Sequence, residues 1–147
     1  MEFFHTGWVV PDLEEAMDEV ASATHCTWRP IVDAVDFHVW TESGTPVLQG
    51  RRVYTVEGPP YLELVEMSGG VWGRGRPAGE AHLGYWVDDM AEAAAHLESV
   101  GMRRVVSDAG PGGSFSLFAY FVGASGTVVE ILPRWRRDQI LNSSDSS

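Results

Sequence analysis

The chain predicts an α+β fold built from two copies of a βαβββ module, and three observations carry that prediction. Residues 5–16 (His-Thr-Gly-Trp-Val-Val-Pro-Asp-Leu-Glu-Glu-Ala) align without a gap on residues 82–93 (His-Leu-Gly-Tyr-Trp-Val-Asp-Asp-Met-Ala-Glu-Ala). The two stretches share His, Gly, Val, Asp, Glu and Ala at matching places, which marks an internal duplication. Each stretch leads into a helical pattern and then three β-type runs. The closing runs also match, Glu63-Leu64-Val65 against Glu130-Ile131-Leu132.

Taken in order, each module opens on a β-type run, Phe3–Val10 and Ala81–Val87. Aspartates stand where a helix N-cap belongs: Asp12 in the first copy, Asp88 or Asp89 in the second. Leu13–Ala23 and Met90–Val100 are rich in Ala, Glu, Met and Leu, which suits amphipathic helices. Gly101 is placed to stop the second helix. The first copy then has Val35–Trp40, Leu48–Val56 and Tyr61–Glu66, broken at Ser43-Gly44 and Gly58-Pro59-Pro60. The second has Arg103–Ser107, Ser114–Val122 and Thr127–Leu132, broken by Gly110-Pro111-Gly112-Gly113 and Gly123–Gly126. The expected organisation is a single domain over 1–133, with modules at 3–66 and 81–133 and a Gly-rich linker at 67–80. A tail at 134–147 starts basic and ends Ser-rich, and its last residues are expected to be mobile.

A chain of 147 residues with 44% apolar side chains can bury a core without cross-links, and its one cysteine, Cys26, permits no internal disulfide. No run reaches the roughly 18 apolar residues of a membrane span. Met-Glu-Phe-Phe-His lacks the features of a signal peptide, so the expected location is cytoplasmic. The formal charge of −11 repels phosphate backbones and anionic lipid, which argues against nucleic-acid and membrane partners. A small-molecule substrate is the expected partner.

The duplication gives its polar residues their meaning. Modules paired about a pseudo-twofold axis bring His5 next to His82 and Glu63 next to Glu130. In each closing strand the Glu stands between apolar neighbours, Leu62 and Leu64 or Val129 and Ile131. Period-two alternation turns those neighbours to the opposite face. A carboxylate projecting into a sheet's concave face is costly unless a cation or hydrogen bonds compensate. His5, Glu63, His82 and Glu130 therefore read as ligands of one divalent metal. The nitrogen and oxygen set suits Ni, Co, Fe, Mn or Zn, with Mg possible.

The pattern His-x-Gly-x-x-Val-x-Asp-Leu/Met-x-x-Ala, the closing Glu-Leu-Val or Glu-Ile-Leu, and the duplication resemble the vicinal oxygen chelate superfamily (glyoxalase, bleomycin resistance, dioxygenase) over about residues 3–133. The resemblance implies two modules whose strands wrap into an incomplete barrel around the metal, in a likeness to homodimeric members. The ligand order His, Glu, His, Glu is similar to bacterial glyoxalase I. The segment His-Leu-Gly-Tyr-Trp-Val-Asp-Asp-Met with the later Leu-Glu-Ser-Val-Gly is closer to methylmalonyl-CoA epimerases, which commonly carry Gln where this chain has Glu63. The activity implied is a metal-dependent lyase or isomerase that removes a proton beside a carbonyl. Glu130 is its first candidate base, and Glu63 serves the opposite face. Two alternatives stand beside it: a metal-free protein sequestering an aromatic antibiotic or metabolite, and an Fe(II) dioxygenase using His5, His82 and Glu130.

Other residues carry weaker expectations. His38 is a candidate for the pocket wall, whereas His25 and His96 are expected to be structural and Glu66 to cap its strand. Arg51 and Arg52 are expected at the surface unless an anionic substrate or coenzyme A phosphates engage them. Trp8, Tyr85, Trp40, Trp72, Trp86, Phe115, Phe118 and Phe121 suggest an aromatic interior. The segments 71–79 and 110–113 are candidate lids. Gly73-Arg74-Gly75 lacks the strand–helix context of a nucleotide-binding loop.

Overall fold

The computed structural model describes residues 1–45, 47–68, 80–110 and 117–142. Most of the linker, the candidate lid at 71–79, Trp72, Phe115, most of the 110–113 segment and the last five residues therefore lie outside the described residues.

Each module follows the expected order. The first has β1 (Glu2–Val9), α1 (Leu13–Thr24), β2 (Val32–His38), the two-residue β3 (Trp40–Thr41), β4 (Val47–Tyr54) and β5 (Tyr61–Ser68). The second has β6 (Ala81–Val87), α2 (Met90–Ser99), β7 (Arg103–Ser107), β8 (Ala119–Val122) and β9 (Val128–Pro133). Both helices begin as their sequences require: the Asp12 carboxylate accepts the Glu15 N–H, and that of Asp89, rather than Asp88, accepts the Glu92 N–H, each at 2.9 Å. Past α2, Gly101 adopts φ +95°, which a side chain would resist.

The described strands join one nine-stranded sheet in the order β2-β4-β5-β1-β6-β9-β8-β7-β3. The modules meet where β1 and β6 run antiparallel, with Thr6 opposite Leu83 at the centre of the pseudo-symmetry. Each central strand also pairs in parallel with its own module's closing strand, β1 with β5 and β6 with β9. The run expected as one strand over Val35–Trp40 is divided between the two edges of the sheet. His38 ends β2 at one edge, and Trp40 begins β3 against β7 at the other. Only Val39, 2% exposed, separates them. The sheet must curl until its edges meet at that residue, giving an incomplete barrel with α1 and α2 on its outside.

Packing follows the alternation of the strands. Leu64 and Val53 bury against Leu13 and Ala16 of α1, and Ile131, Ala119 and Phe121 bury against Met90, Ala94 and Leu97 of α2. The opposite face carries Val39, Val106, Tyr120 and Val128, and beside them Phe4, Tyr54, Trp86 and Leu132. A register shift between Phe3 and His5 breaks the alternation of β1, so Phe4 and His5 are both fully buried.

Within the expected tail, a 3₁₀ turn (Arg134–Arg136) leads into α3 (Arg137–Leu141), whose Ile140 joins Phe4, Tyr54, Trp86 and Leu132 in the core. Arg134 and Arg137 pair with Glu2, and Arg134 also reaches Asp88. Trp8 is 43% exposed rather than interior, because it alternates away from His5 and Gly7. Leu117 and Phe118 precede β8 rather than belonging to it. Met67 and Ser68, expected in the linker, extend β5 through pairing with Gly50 and Gln49.

Candidate metal centre

The hydrogen-bond register assembles the site row by row. In one row Tyr54 of β4 stands opposite Glu63 of β5, Glu63 opposite Gly7 of β1, and Gly7 opposite His82 of β6. The pseudo-equivalent row is Tyr120 of β8, Glu130 of β9, Gly84 of β6 and His5 of β1. Each row thus takes its Tyr, Glu and Gly from one module and its His from across the module boundary.

The glycines are a steric requirement. A Cβ on Gly7 would lie 2.0 Å from Cε1 of His82, and one on Gly84 would lie 2.2 Å from Cε1 of His5. Each imidazole therefore lies over the opposite module's glycine, which explains the second residue shared by the two His-x-Gly repeats. Edge-to-face contacts complete the enclosure: His5 with Phe4 and Tyr54, and His82 with Tyr120.

His5, Glu63, His82 and Glu130 converge, all buried, with one donor atom of each within 4.8 Å of every other. The two Nε2 atoms are 3.0 Å apart. His5 Nε2 lies 3.4 Å from Glu63 Oε1 and 3.2 Å from Glu130 Oε1, and His82 Nε2 lies 3.1 and 3.5 Å from the same atoms. Donors about 2.1 Å from a common ion are spaced about 3.0 Å when octahedral neighbours and about 3.4 Å when tetrahedral. The observed separations fall close to that interval, so the residues fit a divalent metal. Glu63 Oε1 is buried and faces both imidazole nitrogens, as a donor sharing one ion with them would. His5 Nδ1 meets no hydrogen-bond acceptor among the described residues.

Without an ion, protons hold the cluster together. Burial opposes the charge on all four groups, but mutual interaction prevails. Hydrogen bonds and charge from Glu130 and Glu63 raise His82 to about 10, and the same carboxylates raise His5. The imidazoles in turn hold Glu130 at about 2 and push Glu63 well down. Tyr54 and Tyr120 are driven well above their ordinary range, first by burial and then by the neighbouring carboxylates, so both remain neutral donors.

A cavity of about 80 Å³ opens beside Glu63 and Glu130, with Tyr54, Tyr120, Arg52 and Arg136 in its wall. Its apolar side includes Phe118, Val39 and Val106. His38 is exposed on β2 and takes no part; His25 is the exposed C-cap of α1 at φ 61°, and His96 is exposed on α2. Glu66 does not cap its own strand. It accepts the Leu13 N–H at 2.8 Å, fixing the start of α1, and pairs with Arg51. Arg51 also binds Glu14, and both Arg51 and Arg52 border the cavity. Tyr54, Tyr120 and Arg136 were not among the sequence candidates. The repeat held one usable signal, a tyrosine preceding each closing Glu by a similar interval.

Comparison with known proteins agrees with this architecture. A search of curated protein sequences finds no match. Among solved structures, a hypothetical protein from Bacillus halodurans C-125 superposes with a TM-score of 0.65 at 15% identity, covering 90% of this chain and 94% of the other. Methylmalonyl-CoA epimerase from Mycobacterium tuberculosis gives 0.55 at 15% identity, over 90% and 87% of the two chains. The Streptomyces coelicolor methylmalonyl-CoA epimerase bound to 2-nitronate-propionyl-CoA gives 0.51 at 12%, over 90% and 96%. At such identities the likeness establishes the fold. The model of one family matches residues 4–121, which take in both histidines, Glu63 and the β1–β6 junction. The chain belongs to the glyoxalase/bleomycin resistance protein/dioxygenase superfamily.

Proposed function

We propose that the protein is a divalent-metal-dependent enzyme that removes a proton from the carbon beside a substrate carbonyl, as a lyase or an isomerase. The observation that carries this reading is the convergence of His5, Glu63, His82 and Glu130 at ligand-to-ligand distances, with every donor buried. A divalent ion held there would supply Lewis acidity to a substrate oxygen, stabilising the negative charge left by proton removal. His5 and His82 stay in place throughout, seated over the glycines of the opposite module.

Glu130 and Glu63 stand in pseudo-equivalent positions on β9 and β5, both beside the cavity, so each is placed to exchange a proton with a bound substrate. Glu130 Oε1 is the first candidate acceptor, with Glu63 returning a proton from the other side. The hydroxyls of Tyr54 and Tyr120, opposite these carboxylates in the sheet, orient them by hydrogen bonding. Phe118 and Val106 keep the reacting carbon against an apolar wall.

Glu63 weighs against an iron oxygenase, since it lies as near His82 as Glu130 lies to His5 and would occupy a position that oxygen needs. The test is elemental analysis of untagged wild type and His82→Ala, followed by proton exchange in D₂O. About one metal per chain in wild type and a loss in the variant are expected. Deuterium should enter 2-oxoaldehyde–thiol adducts or acyl-CoA epimers, and Glu130→Gln should stop it. No metal after reconstitution, or undiminished exchange in Glu130→Gln, would overturn the reading.

A further inference from the structure

The cavity beside the metal centre has more positive charge than its immediate chemistry uses. Arg52 lies two residues before Tyr54, and Arg136 enters from the 3₁₀ turn after β9. Both line the same cavity as Glu63 and Glu130. The Nε–H of each is buried without a hydrogen-bond acceptor among the described residues. Arg136 otherwise donates from Nη1 to the Leu117 carbonyl at 2.8 Å, a neutral acceptor. Both side chains are half-buried and oppose one another in charge: burial and then the charge of Arg52 lower the pKa of Arg136.

Local acids do not absorb this charge. Glu63 and Glu130 do act on Arg52. A divalent ion held by these two carboxylates would cancel their charges. Asp108 acts on Arg136 but also accepts the Phe118 N–H at 3.3 Å, and it offsets at most one of the two arginines. The pseudo-symmetric half of the cavity is different. The residue two before Tyr120 is Phe118, so one half is cationic where the other is aromatic.

We propose that Arg52 and Arg136 form an anion-binding subsite that holds a carboxylate of the substrate while its carbonyl end lies at His5, Glu63, His82 and Glu130. The subsite rests on the metal reading for its geometry, and it names the substrate class: a small carbonyl compound with a carboxylate at one end and an apolar flank toward Phe118. Arginine is suited to this because its planar fork meets a carboxylate with two parallel hydrogen bonds.

The test separates the two ideas. Cobalt-loaded protein is titrated with acetohydroxamate and with the monohydroxamates of malonate and succinate, which present the same chelating oxygens with or without a carboxylate tail. A tailed probe is expected to bind about tenfold tighter or more. That advantage should shrink to about twofold in Arg52→Gln and Arg136→Gln, with acetohydroxamate affinity unchanged. In wild type the tailed probe should also shift the Nε–H resonances of both arginines, a readout that does not depend on the variants folding. Equal binding of tailed and untailed probes, or an advantage retained in both variants, overturns the subsite. If acetohydroxamate does not bind, the metal reading fails. Succinate added to metal-free protein then decides the subsite alone: a saturable shift of both Nε–H resonances supports it, and no shift overturns it.

Discussion

A single hydrogen atom in place of a methyl group lets each imidazole reach the centre. A methyl group at Gly84 or Gly7 would strike a ring that is itself enclosed, so neither His5 nor His82 can step aside to admit one. Gly7→Ala and Gly84→Ala are therefore expected to keep the fold and lose the metal, from about one equivalent to a small fraction, as read by elemental analysis beside circular dichroism. Full occupancy in both would show that the rings have other seats. The tyrosines act more softly. Tyr54→Phe or Tyr120→Phe removes a hydroxyl that steadies a carboxylate of the candidate centre, and metal affinity should fall about 10- to 100-fold with occupancy recoverable at high metal. A competition titration against a chelator of known affinity measures it, and an unchanged affinity in both variants removes the tyrosines from the site. His-x-Gly was legible as a repeat from the sequence, but its cause was not: each glycine serves the histidine of the other module, and no local pattern records that His5 and His82, 77 residues apart, meet.

The elements that could be read from sequence are those whose pattern is local. β5 and β9 alternate around their glutamates, and α1 and α2 carry an aspartate cap and an apolar stripe, so their type and place follow from the residues alone. The division of Val35–Trp40 between two sheet edges has no such signature, because the partner of β3 is β7 in the other module. The final helix was hidden for a different reason. It is only five residues long, set between a basic turn and a Ser-rich end, and one buried residue, Ile140, ties it to the core at 2% exposure. Ile140→Ala should cost about 2–5 kcal/mol in urea unfolding, since it leaves a hole among Phe4, Tyr54, Trp86 and Leu132. Below about 1 kcal/mol, the helix would be an attachment rather than part of the core. Glu66 joins elements in another way, holding the first turn of α1 to β5. Glu66→Ala should cost about 1–2 kcal/mol while leaving metal content unchanged, which separates a structural carboxylate from the two at the centre.

At the scale of the whole molecule, the candidate metal centre links stability to pH, and the direction depends on what occupies it. In the metal-free chain His82 has its pKa raised from 6.5 to about 10 by the glutamates. Its contribution to stability is complete below 6.5 and is lost as pH rises through 10. Glu130 has its pKa lowered from 4.5 to about 2 by the imidazoles, so its contribution is present above 4.5 and is lost as pH falls through 2. His5 and Glu63 move in the same directions as their counterparts. From this cluster, metal-free protein should be most stable between 4.5 and 6.5 and should weaken from neutral pH toward 10. Metal ligation needs neutral imidazoles, so loading the site at neutral pH must expel the protons that His5 and His82 hold. Apparent metal affinity then climbs with pH, the chain's formal charge of −11 favouring the cation throughout, and the gap in Tm between loaded and metal-free protein widens as pH rises. Calorimetric titrations in two buffers of different ionisation enthalpy count the protons released, and thermal scans from about pH 6 to 9 follow the gap. Metal uptake that releases no protons at about pH 7, with a Tm gap that stays constant over that range, would mean that the histidines are already neutral in the metal-free protein and that protons do not hold the empty cluster together.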